Sequence, residues 1–271
     1  MALFNNDTEI ISTDGLNSRL NICDINGNLI NKFNPNGILQ HPMSICINDI
    51  DPDNIEIYVG DYALHKIVVF DVHFKELRDF GNQTLNVPEF IEIDRENFDN
   101  LLYVSDYRNN NITVWDRKAF DLKDVIEIDS PYKIKISNDK IFVVSPAQFD
   151  VLENIETGNG LKLKKITKGS DCVFILDKIS YHVLDTITFD DWLTPSSLYI
   201  DSNLNIYTVA YEIEKTSRTI SQFKRLYIIN KNGILIKKMQ LDDIQVTADM
   251  IVLNNELIFS VNNELRMIQF K

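Results

Sequence analysis

The segment IYVGDYALHKIVVFDVHFKELRDF, residues 57–80, decides the fold because the chain contains its pattern more than once. A run of β-branched and aromatic residues ends at Asp61, and two further runs follow after short loops. Residues 10–33 and 102–126 match this pattern and carry an aspartate at the position of Asp61. Self-similarity at a spacing of about 40 to 50 residues is typical of proteins built from stacked units. The sequence therefore predicts a repeat architecture made of short strands.

A further strand is predicted ahead of each repeat, because a short alternating run stands there and usually opens with proline. Proline has no N–H to donate to a strand ladder, so it suits the first residue of a strand. The prolines that open such runs are Pro42, Pro88, Pro131 and Pro195. Each unit then has four strands, a to d, and radial packing of four-stranded units gives a β-propeller. The sequence predicts one all-β domain over residues 1–271, a six-bladed β-propeller with four-stranded antiparallel blades.

Ring closure and two insertions leave alternatives open. The chain shows one strand fewer than six full blades need, so either the last blade is three-stranded or Ala2–Phe4 crosses to become its outer strand. The long interval after Pro131 predicts a hairpin insertion at about 146–170 in the b–c connection. A shorter b–c insertion is predicted at about 211–223. An alternative assigns the first hairpin as strands c and d and leaves residues 172–189 as a shortened extra unit.

The repeated segments resemble the NHL repeat. Its first half, a proline-opened strand that ends in aspartate, matches residues 195–201 and 205–207, and its second half matches residues 58–61 and 65–71. The resemblance implies an NHL-like propeller fold. It also implies that the aspartate at the end of strand b pairs with the basic residue that opens strand c. These pairs are Asp14 with Arg19 and Asp61 with Lys66, and the aromatic residues expected to pack between blades are Phe33, Phe70, Phe80 and Trp115.

Composition limits the function classes. The net charge of −13, from 27 basic and 40 acidic residues, disfavours nonspecific nucleic-acid binding because an acidic protein repels the phosphate backbone. The three cysteines lack CxxC spacing, which argues against a disulfide framework or a zinc site. No basic and apolar leader opens the chain, and no apolar run approaches the length of a membrane span. We expect an intracellular, cytoplasmic protein without membrane contact, with a place in a virus particle as the alternative.

The sequence predicts no catalytic residue, no metal site and no cofactor. The four histidines are scattered over separate strand ends and turns, and no GxSxG, HExxH, GxGxxG or P-loop motif occurs. Six-bladed lactonases of the gluconolactonase type are similar in fold and hold a divalent cation with Glu, Asn and Asp at the channel mouth. Carboxylate and amide oxygens suit such cations. Glu89, Asn138 and Asp249 are nominated for that alternative.

Candidate binding residues lie in the b–c loops. Three blades place a tyrosine at the same point of this loop, and loops on a rigid scaffold often carry binding function. Tyr and Arg are enriched at protein interfaces. The candidates are Tyr62, Tyr107, Tyr211 and Arg108, together with Lys162, Lys164 and Lys165 of the first insertion. The alternatives are that the tyrosines pack on the neighbouring blade and that the lysines form a solvated strand face.

These features predict a non-enzymatic scaffold for protein–protein interaction through the face on which the b–c loops lie. The expected partner is a protein, and the expected oligomeric state is a monomer or a weak oligomer. Two alternatives stay open. One is a cation-dependent lactonase or hydrolase, and the other is single-stranded RNA binding through the lysines of the first insertion.

Overall fold

The computed structural model of the chain describes residues 1–34, 37–95, 100–151, 163–166, 170–190, 193–215, 220–241, 247–253, 256–261 and 264–269. Every element of secondary structure in these residues is a β-strand apart from one short 3-10 helix, Gly15–Asn17. The all-β prediction is confirmed. The chain divides into two compact units, residues 1–128 with 249–271 and residues 129–248. No helix in the described part of the chain is long and apolar enough to cross a membrane.

Three four-stranded antiparallel sheets follow one another up to residue 128, and in each the strands pair in chain order. The first sheet contains β1 (Ala2–Phe4), β2 (Glu9–Asp14), β3 (Arg19–Asp24) and β4 (Leu29–Phe33). The second contains β5 (Pro42–Asn48), β6 (Glu56–Asp61), β7 (Lys66–Phe70) and β8 (Glu76–Phe80). The third contains β9 (Pro88–Ile93), β10 (Leu101–Asp106), β11 (Asn111–Asp116) and β12 (Leu122–Glu127).

The remaining described strands form three further sheets and one hairpin. The fourth sheet contains β13 (Ile134–Ser137), β14 (Lys140–Ser145), β17 (Cys172–Asp177) and β18 (Val183–Thr188), with the hairpin β15 (Gln148–Val151) and β16 (Leu163–Ile166) between β14 and β17 in the chain. The fifth contains β19 (Leu193–Pro195), β20 (Tyr199–Ile200), β21 (Ile206–Lys215), β22 (Ile220–Ile229) and β23 (Leu235–Gln240). The last contains β24 (Thr247–Leu253), β25 (Glu256–Val261) and β26 (Glu264–Gln269).

The two predicted insertions take different forms. In the first, β15 and β16 pair with each other while β14 pairs directly with β17. In the second, the described backbone continues the sheet instead of leaving it, because β21 and β22 pair without interruption from Ile206 opposite Ile229 to Lys215 opposite Ile220. The N-terminal strand β1 pairs with β2, and the last sheet has three described strands. Within the described residues, Ala2–Phe4 therefore belongs to the first sheet.

The inner strands are buried on both faces because neighbouring sheets pack against each side. Tyr58 and Val59 are successive residues of β6, so their side chains point to opposite faces of the sheet, and both are 0% exposed. Val59 packs with Leu20 in the core between the first and second sheets. Tyr58 packs with Leu102 in the core between the second and third. Continuous apolar runs such as residues 67–70 therefore form strands without alternation of polar and apolar residues.

The aromatic residues expected between blades lie there. Phe33 of β4 meets Phe70 of β7 edge to face, with ring centroids 6.1 Å apart. Phe80 of β8 lies 5.1 Å from Trp115 of β11, centroid to centroid. Such pairs contribute about 0.5 to 1.5 kcal/mol beyond the burial of their area. Aromatic contacts thus join the first sheet to the second and the second to the third.

Five outer strands carry the same irregularity. The register between each of them and its neighbouring strand slips by one residue near the start of β4, β8, β12, β18 and β23. The extra residues are Ile30, Leu77, Lys123, Leu184 and Ile236. Such a β-bulge bends the edge strand and raises its twist. Its recurrence shows that the sheets repeat in backbone detail as well as in strand number.

The turn that leads into each outer strand is held by one side chain. In five sheets the Oδ1 of an Asp or Asn accepts a hydrogen bond from the backbone N–H two residues later. The residues are Asp24, Asp71, Asp116, Asp177 and Asn230. This is the Asx-turn geometry, in which the side chain imitates a backbone turn. In the fifth sheet the turn continues through Gly233, whose φ of 78° favours glycine.

Candidate functional site

A buried aspartate organises the loop between β6 and β7. The Asp61 carboxylate is 0% exposed and accepts hydrogen bonds from the backbone N–H groups of Gln40 at 2.8 Å and His41 at 3.0 Å, just before β5. It also accepts hydrogen bonds from the N–H groups of Ala63 at 3.0 Å and Leu64 at 3.1 Å in its own loop. One carboxylate therefore ties the start of the second sheet to its β6–β7 loop. Hydrogen bonds to an ionised acceptor are about twice as strong as neutral ones.

Asp106 repeats this arrangement in the third sheet. Its carboxylate is 0% exposed and accepts hydrogen bonds from the N–H groups of Asn86 at 2.6 Å and Val87 at 3.0 Å, just before β9. The Asn109 side-chain amide donates to it at 2.8 Å from the β10–β11 loop. A similar contact occurs in the fourth sheet, where the Asp171 carboxylate accepts a hydrogen bond from the backbone N–H of Ala147 at 2.8 Å. Buried carboxylates thus hold the chain that connects β6 with β7, β10 with β11, and β14 with β17.

The predicted ion pair between Asp61 and Lys66 does not form. The two residues lie directly opposite each other in β6 and β7, but Asp61 turns inward to the backbone N–H groups, and the Lys66 ammonium lies 2.5 Å from Asp79 of β8. A buried carboxylate gains more from several fixed N–H donors than from one partly solvated ammonium. In the first sheet the expected pair does form, with 2.9 Å between Asp14 and Arg19.

Tyr62 lies at the centre of a cluster on this loop. Its ring is half-buried, with the His41 ring at 5.4 Å in an edge contact and the His65 ring at 6.3 Å, measured between centroids. The guanidinium of Arg108, from the β10–β11 loop, lies over the Tyr62 ring with its carbon 5.4 Å from the ring centroid. A cation over an aromatic face is attracted by about 0.5 to 1 kcal/mol at exposed sites. The structure therefore brings together Tyr62 and Arg108 from neighbouring sheets.

The first sheet extends the cluster. A Cβ placed on Gly15 would lie 3.0 Å from atoms of the His41 ring, so the loop between β2 and β3 lies directly against that ring. The next residue, Leu16, is 92% exposed. We call Leu16, His41, Tyr62, His65 and Arg108 the three-sheet strip. The sequence analysis did not predict Leu16, His41 or His65 as binding residues, although the apolar Leu16 between Gly15 and Asn17 in a polar loop was a visible signal.

The strip carries positive charge on an acidic protein. Asp61 and Asp106 stand next to it in the chain, but both carboxylates are buried and saturated with N–H donors. The exposed guanidinium of Arg108 forms no ion pair with any described residue. Arg108 therefore presents its N–H donors to solvent from a position fixed by the Tyr62 ring. Such a planar fork matches carboxylate and phosphate groups.

The other predicted tyrosines have different surroundings. Tyr107 is half-buried, and its backbone N–H donates to the Val87 carbonyl at 3.4 Å. Tyr211 lies in β21 directly opposite Lys224 of β22, and the Lys224 ammonium lies 5.0 Å from the Tyr211 ring centroid. Tyr211 belongs to the second compact unit, whereas Tyr62, Tyr107 and Arg108 belong to the first. The predicted loop position is therefore correct for Tyr62 and Tyr107, which follow β6 and β10, and wrong for Tyr211, which lies within β21 because that strand continues to Lys215.

Lys224 is a buried cation that sequence reasoning did not single out. Its side chain belongs to a residue that is 7% exposed, and its ammonium has no hydrogen-bond acceptor among the described residues. Burial lowers the pKa of the Lys224 ammonium to about 8. No signal in the sequence separates Lys224 from Arg225 beside it, which pairs with Glu212.

The predicted lysines of the first insertion contribute no described contact. Lys162 lies outside the described residues. Lys164 and Lys165 lie in β16 opposite Asp150 and Phe149, and only their backbone is described. Among the described residues there is no cluster of three or more His, Cys, Asp or Glu side chains that could hold a metal ion.

Comparison with known proteins identifies the fold. No protein-family model matches the sequence, and no curated protein matches it. The structure is similar to hydrazine synthase from Kuenenia stuttgartiensis, with a TM-score of 0.66 and 13% identity over 96% of this chain and 72% of that one. The chain has an all-β propeller fold. It is also similar to a protein of unknown function from Bacteroides caccae, with a TM-score of 0.58 and 11% identity over 89% of this chain and 80% of that one. At such identities the likeness concerns the fold alone.

Proposed function

We propose that this propeller is a non-enzymatic scaffold that binds a protein partner through the three-sheet strip. The observation that supports the proposal is the position of Arg108 over the Tyr62 ring, since it joins loops of two sheets into one surface. Tyr and Arg are the residue types that dominate binding energy at protein interfaces. The fully exposed Leu16 beside them supplies apolar area at the same surface.

Rigidity of the loops also supports the proposal. The backbone on either side of Tyr62 is held by Asp61, and the backbone around Arg108 is held by Asp106. A surface that is ordered before binding loses less conformational entropy when the partner docks. The strip is therefore suited to recognition by a preformed surface.

The test compares Arg108→Glu with Lys118→Glu. Lys118 is exposed in the turn between β11 and β12, at the opposite end of the same sheet from Arg108. Both substitutions replace a positive charge by a negative one, so the two variants differ only in where the charge is changed. Partners are captured from the native source by tagged wild-type protein and then measured individually. We expect Arg108→Glu to weaken binding by about 30-fold, the equivalent of a hot spot of roughly 2 kcal/mol, and Lys118→Glu to leave it unchanged.

Three results would overturn the scaffold proposal. The first is an equal effect of both variants on every captured protein. The second is turnover on a panel of lactones that chelation abolishes, which would favour the lactonase. The third is RNA affinity that falls steeply with salt and is lost on changing Lys162, Lys164 and Lys165 to Glu, since counterion release gives phosphate binding that signature.

We further propose six blades of the NHL-like type. The described strands form four four-stranded sheets, one five-stranded sheet and one three-stranded sheet besides the hairpin. The repeated bulge and the repeated Asx turn support one common unit for the first five of them. An experimental structure with six sheets around one axis is the expected outcome, and a ring of another number would refute it.

A further inference from the structure

The outer strand of the fifth sheet begins with an unusual run of exposed apolar residues. Ile234, just before β23, is 61% exposed, and Leu235 and Ile236 within it are 51% and 56% exposed. Removing aliphatic side chains of this kind from water is favourable in proportion to the apolar area that is covered. Three consecutive exposed aliphatic residues on a sheet edge are therefore a surface that gains by being covered.

The same segment is basic. Residues 231–240 contain Lys231, Lys237 and Lys238 and no carboxylate, in a chain whose net charge is −13. Lys238 is paired with Glu212 at 3.1 Å, while Lys231 and Lys237 are exposed. The outer strands β8, β12 and β18 each contain at least one Asp or Glu, and β4 carries only one lysine. Residues 231–240, which comprise β23 and the turn before it, combine three lysines with three exposed aliphatic residues, whereas β4, β8, β12 and β18 each contain at most one lysine.

The edge of β23 offers main-chain groups as well. β23 is the terminal strand of its sheet and pairs on one side with β22, so in the described structure its other side presents unpaired N–H and C=O groups. Proteins usually protect such edges with charges, proline or a bulge. The bulge at Ile236 disrupts the ladder locally, but the register with β22 is regular from Lys237 to Gln240. This stretch is open to an added strand.

We propose that β23 binds an extended acidic segment of a partner protein, which adds to the sheet along Lys237–Gln240. Its carboxylates lie near Lys231 and Lys237, and its apolar side chains cover Ile234, Leu235 and Ile236. Strand addition of this kind draws affinity from main-chain hydrogen bonds and specificity from side chains. The proposed β23 site shares no residue with the three-sheet strip, so this inference does not depend on the scaffold proposal.

The charge of the protein favours a short peptide segment over a larger partner at β23. A second copy of the chain and an anionic membrane would each meet the whole molecule with its charge of −13, and two acidic bodies repel. A short segment meets mainly the local positive charge within a Debye length of about 8 Å at physiological salt. The local lysines therefore favour a peptide.

The experiment uses the full chain and a labelled 11-residue peptide of alternating valine and glutamate, with binding measured by fluorescence anisotropy. A second peptide has the same sequence with every backbone nitrogen methylated, which removes the N–H donors of both strand edges. The protein variants are Lys231→Glu with Lys237→Glu, and Ile234→Ser with Ile236→Ser. The matched control is Val183→Ser with Leu184→Ser on β18, where the side chains are 52% and 54% exposed.

We expect saturable binding to the wild type and to the β18 control. The lysine variant should lose about tenfold or more in affinity, as expected when about 1.4 kcal/mol of attraction is removed. The serine variant should also weaken binding, and the methylated peptide should fail to bind. All substituted side chains are exposed, and unchanged urea unfolding will show that each variant is folded.

Several results would overturn the inference. Absence of binding at millimolar peptide refutes it, as does equal loss in the β18 control. Equal binding of the methylated peptide refutes strand addition. Wild-type dimerisation that the serine variant abolishes would show that a second copy covers β23, and cosedimentation with phosphatidylserine vesicles that the lysine variant abolishes would show that a membrane does.

Discussion

Replacing Asp61 by alanine tests whether its carboxylate acts through buried hydrogen bonds to the backbone or through the ion pair with Lys66 that the repeat pattern implied. In the structure, the Asp61 carboxylate accepts hydrogen bonds from four backbone N–H groups at 2.8 to 3.1 Å and is 0% exposed. Hydrogen bonds to a charged group contribute about 1.5 to 3 kcal/mol each, and water recovers part of the loss in the exposed loop. We therefore expect Asp61→Ala to lower the free energy of unfolding by about 3 to 5 kcal/mol.

Lys66→Ala is the matched control. Lys66 contacts Asp79 at the surface, and such pairs are worth about 0 to 1 kcal/mol. If Asp61 and Lys66 formed a pair, the two variants would instead have similar small effects. The structure predicts a large difference between them.

The assay is urea unfolding followed by far-UV circular dichroism, with thermal melting as a second readout. Each kcal/mol shifts Tm by about 2 °C in a chain of this size, so Asp61→Ala should melt roughly 6 to 10 °C lower. Asp61→Asn keeps one acceptor oxygen and should lie between alanine and the wild type. If Asp61→Ala lowers the free energy of unfolding by less than about 1 kcal/mol, the same as Lys66→Ala, the stabilising role of the buried Asp61 hydrogen bonds is refuted.

Three further predictions concern other positions. Gly60→Ala should destabilise the fold by about 1 to 3 kcal/mol in urea unfolding, because the added Cβ would collide with Ser44 Oγ and lie 2.9 Å from the Pro88 carbonyl oxygen; unchanged stability would refute this close approach. Lys224→Met should be more stable than the wild type at neutral pH, since an unpaired buried charge is costly. Because the Lys224 pKa falls from 10.5 to about 8 on folding, the unfolded chain binds the proton more tightly, and the advantage should shrink as pH rises from 8 to 10.5; a constant difference would contradict this. The backbone N–H groups of the turn lower the pKa of the Asp116 carboxyl below its usual 3.8, so its contribution is present above that pH and is lost as the pH falls through the folded value; Asp116→Asn should reduce the loss of stability in acid-range unfolding, and an unchanged acid profile would contradict this.

The features that could be predicted from sequence are the ones held by local interactions. The Asx turns depend on contacts between residues two apart, as from Asp116 to Lys118, so their signal lies within a few letters of the sequence. The strands are marked by β-branched runs and by opening prolines such as Pro42 and Pro88, which begin β5 and β9. The contact of Phe80 with Trp115 repeats that of Phe33 with Phe70, because the two pairs occupy equivalent positions one repeat apart.

The second insertion shows where the local signal fails. Residues 211–215 and 220–223 were predicted to leave the sheet, yet they continue β21 and β22. Polar residues such as Glu212 suggest a loop, but the structure pairs Glu212 with Arg225 and Lys238 across neighbouring strands. Cross-strand partners depend on register, which a single strand does not encode.

The amino-acid sequence alone establishes the all-β repeat, the place of Asp61 at the end of a strand, and the places of Tyr62 and Arg108 in the loops that follow strands. The partners of these residues depend on the tertiary structure. Asp61 bonds to N–H groups about 20 residues earlier in the chain, and Arg108 reaches a ring 46 positions away, because adjacent sheets and strand ends bring distant segments together. Burial then decides which charges need partners, since the Asp61 carboxylate is enclosed and satisfied, whereas the Arg108 guanidinium stays exposed.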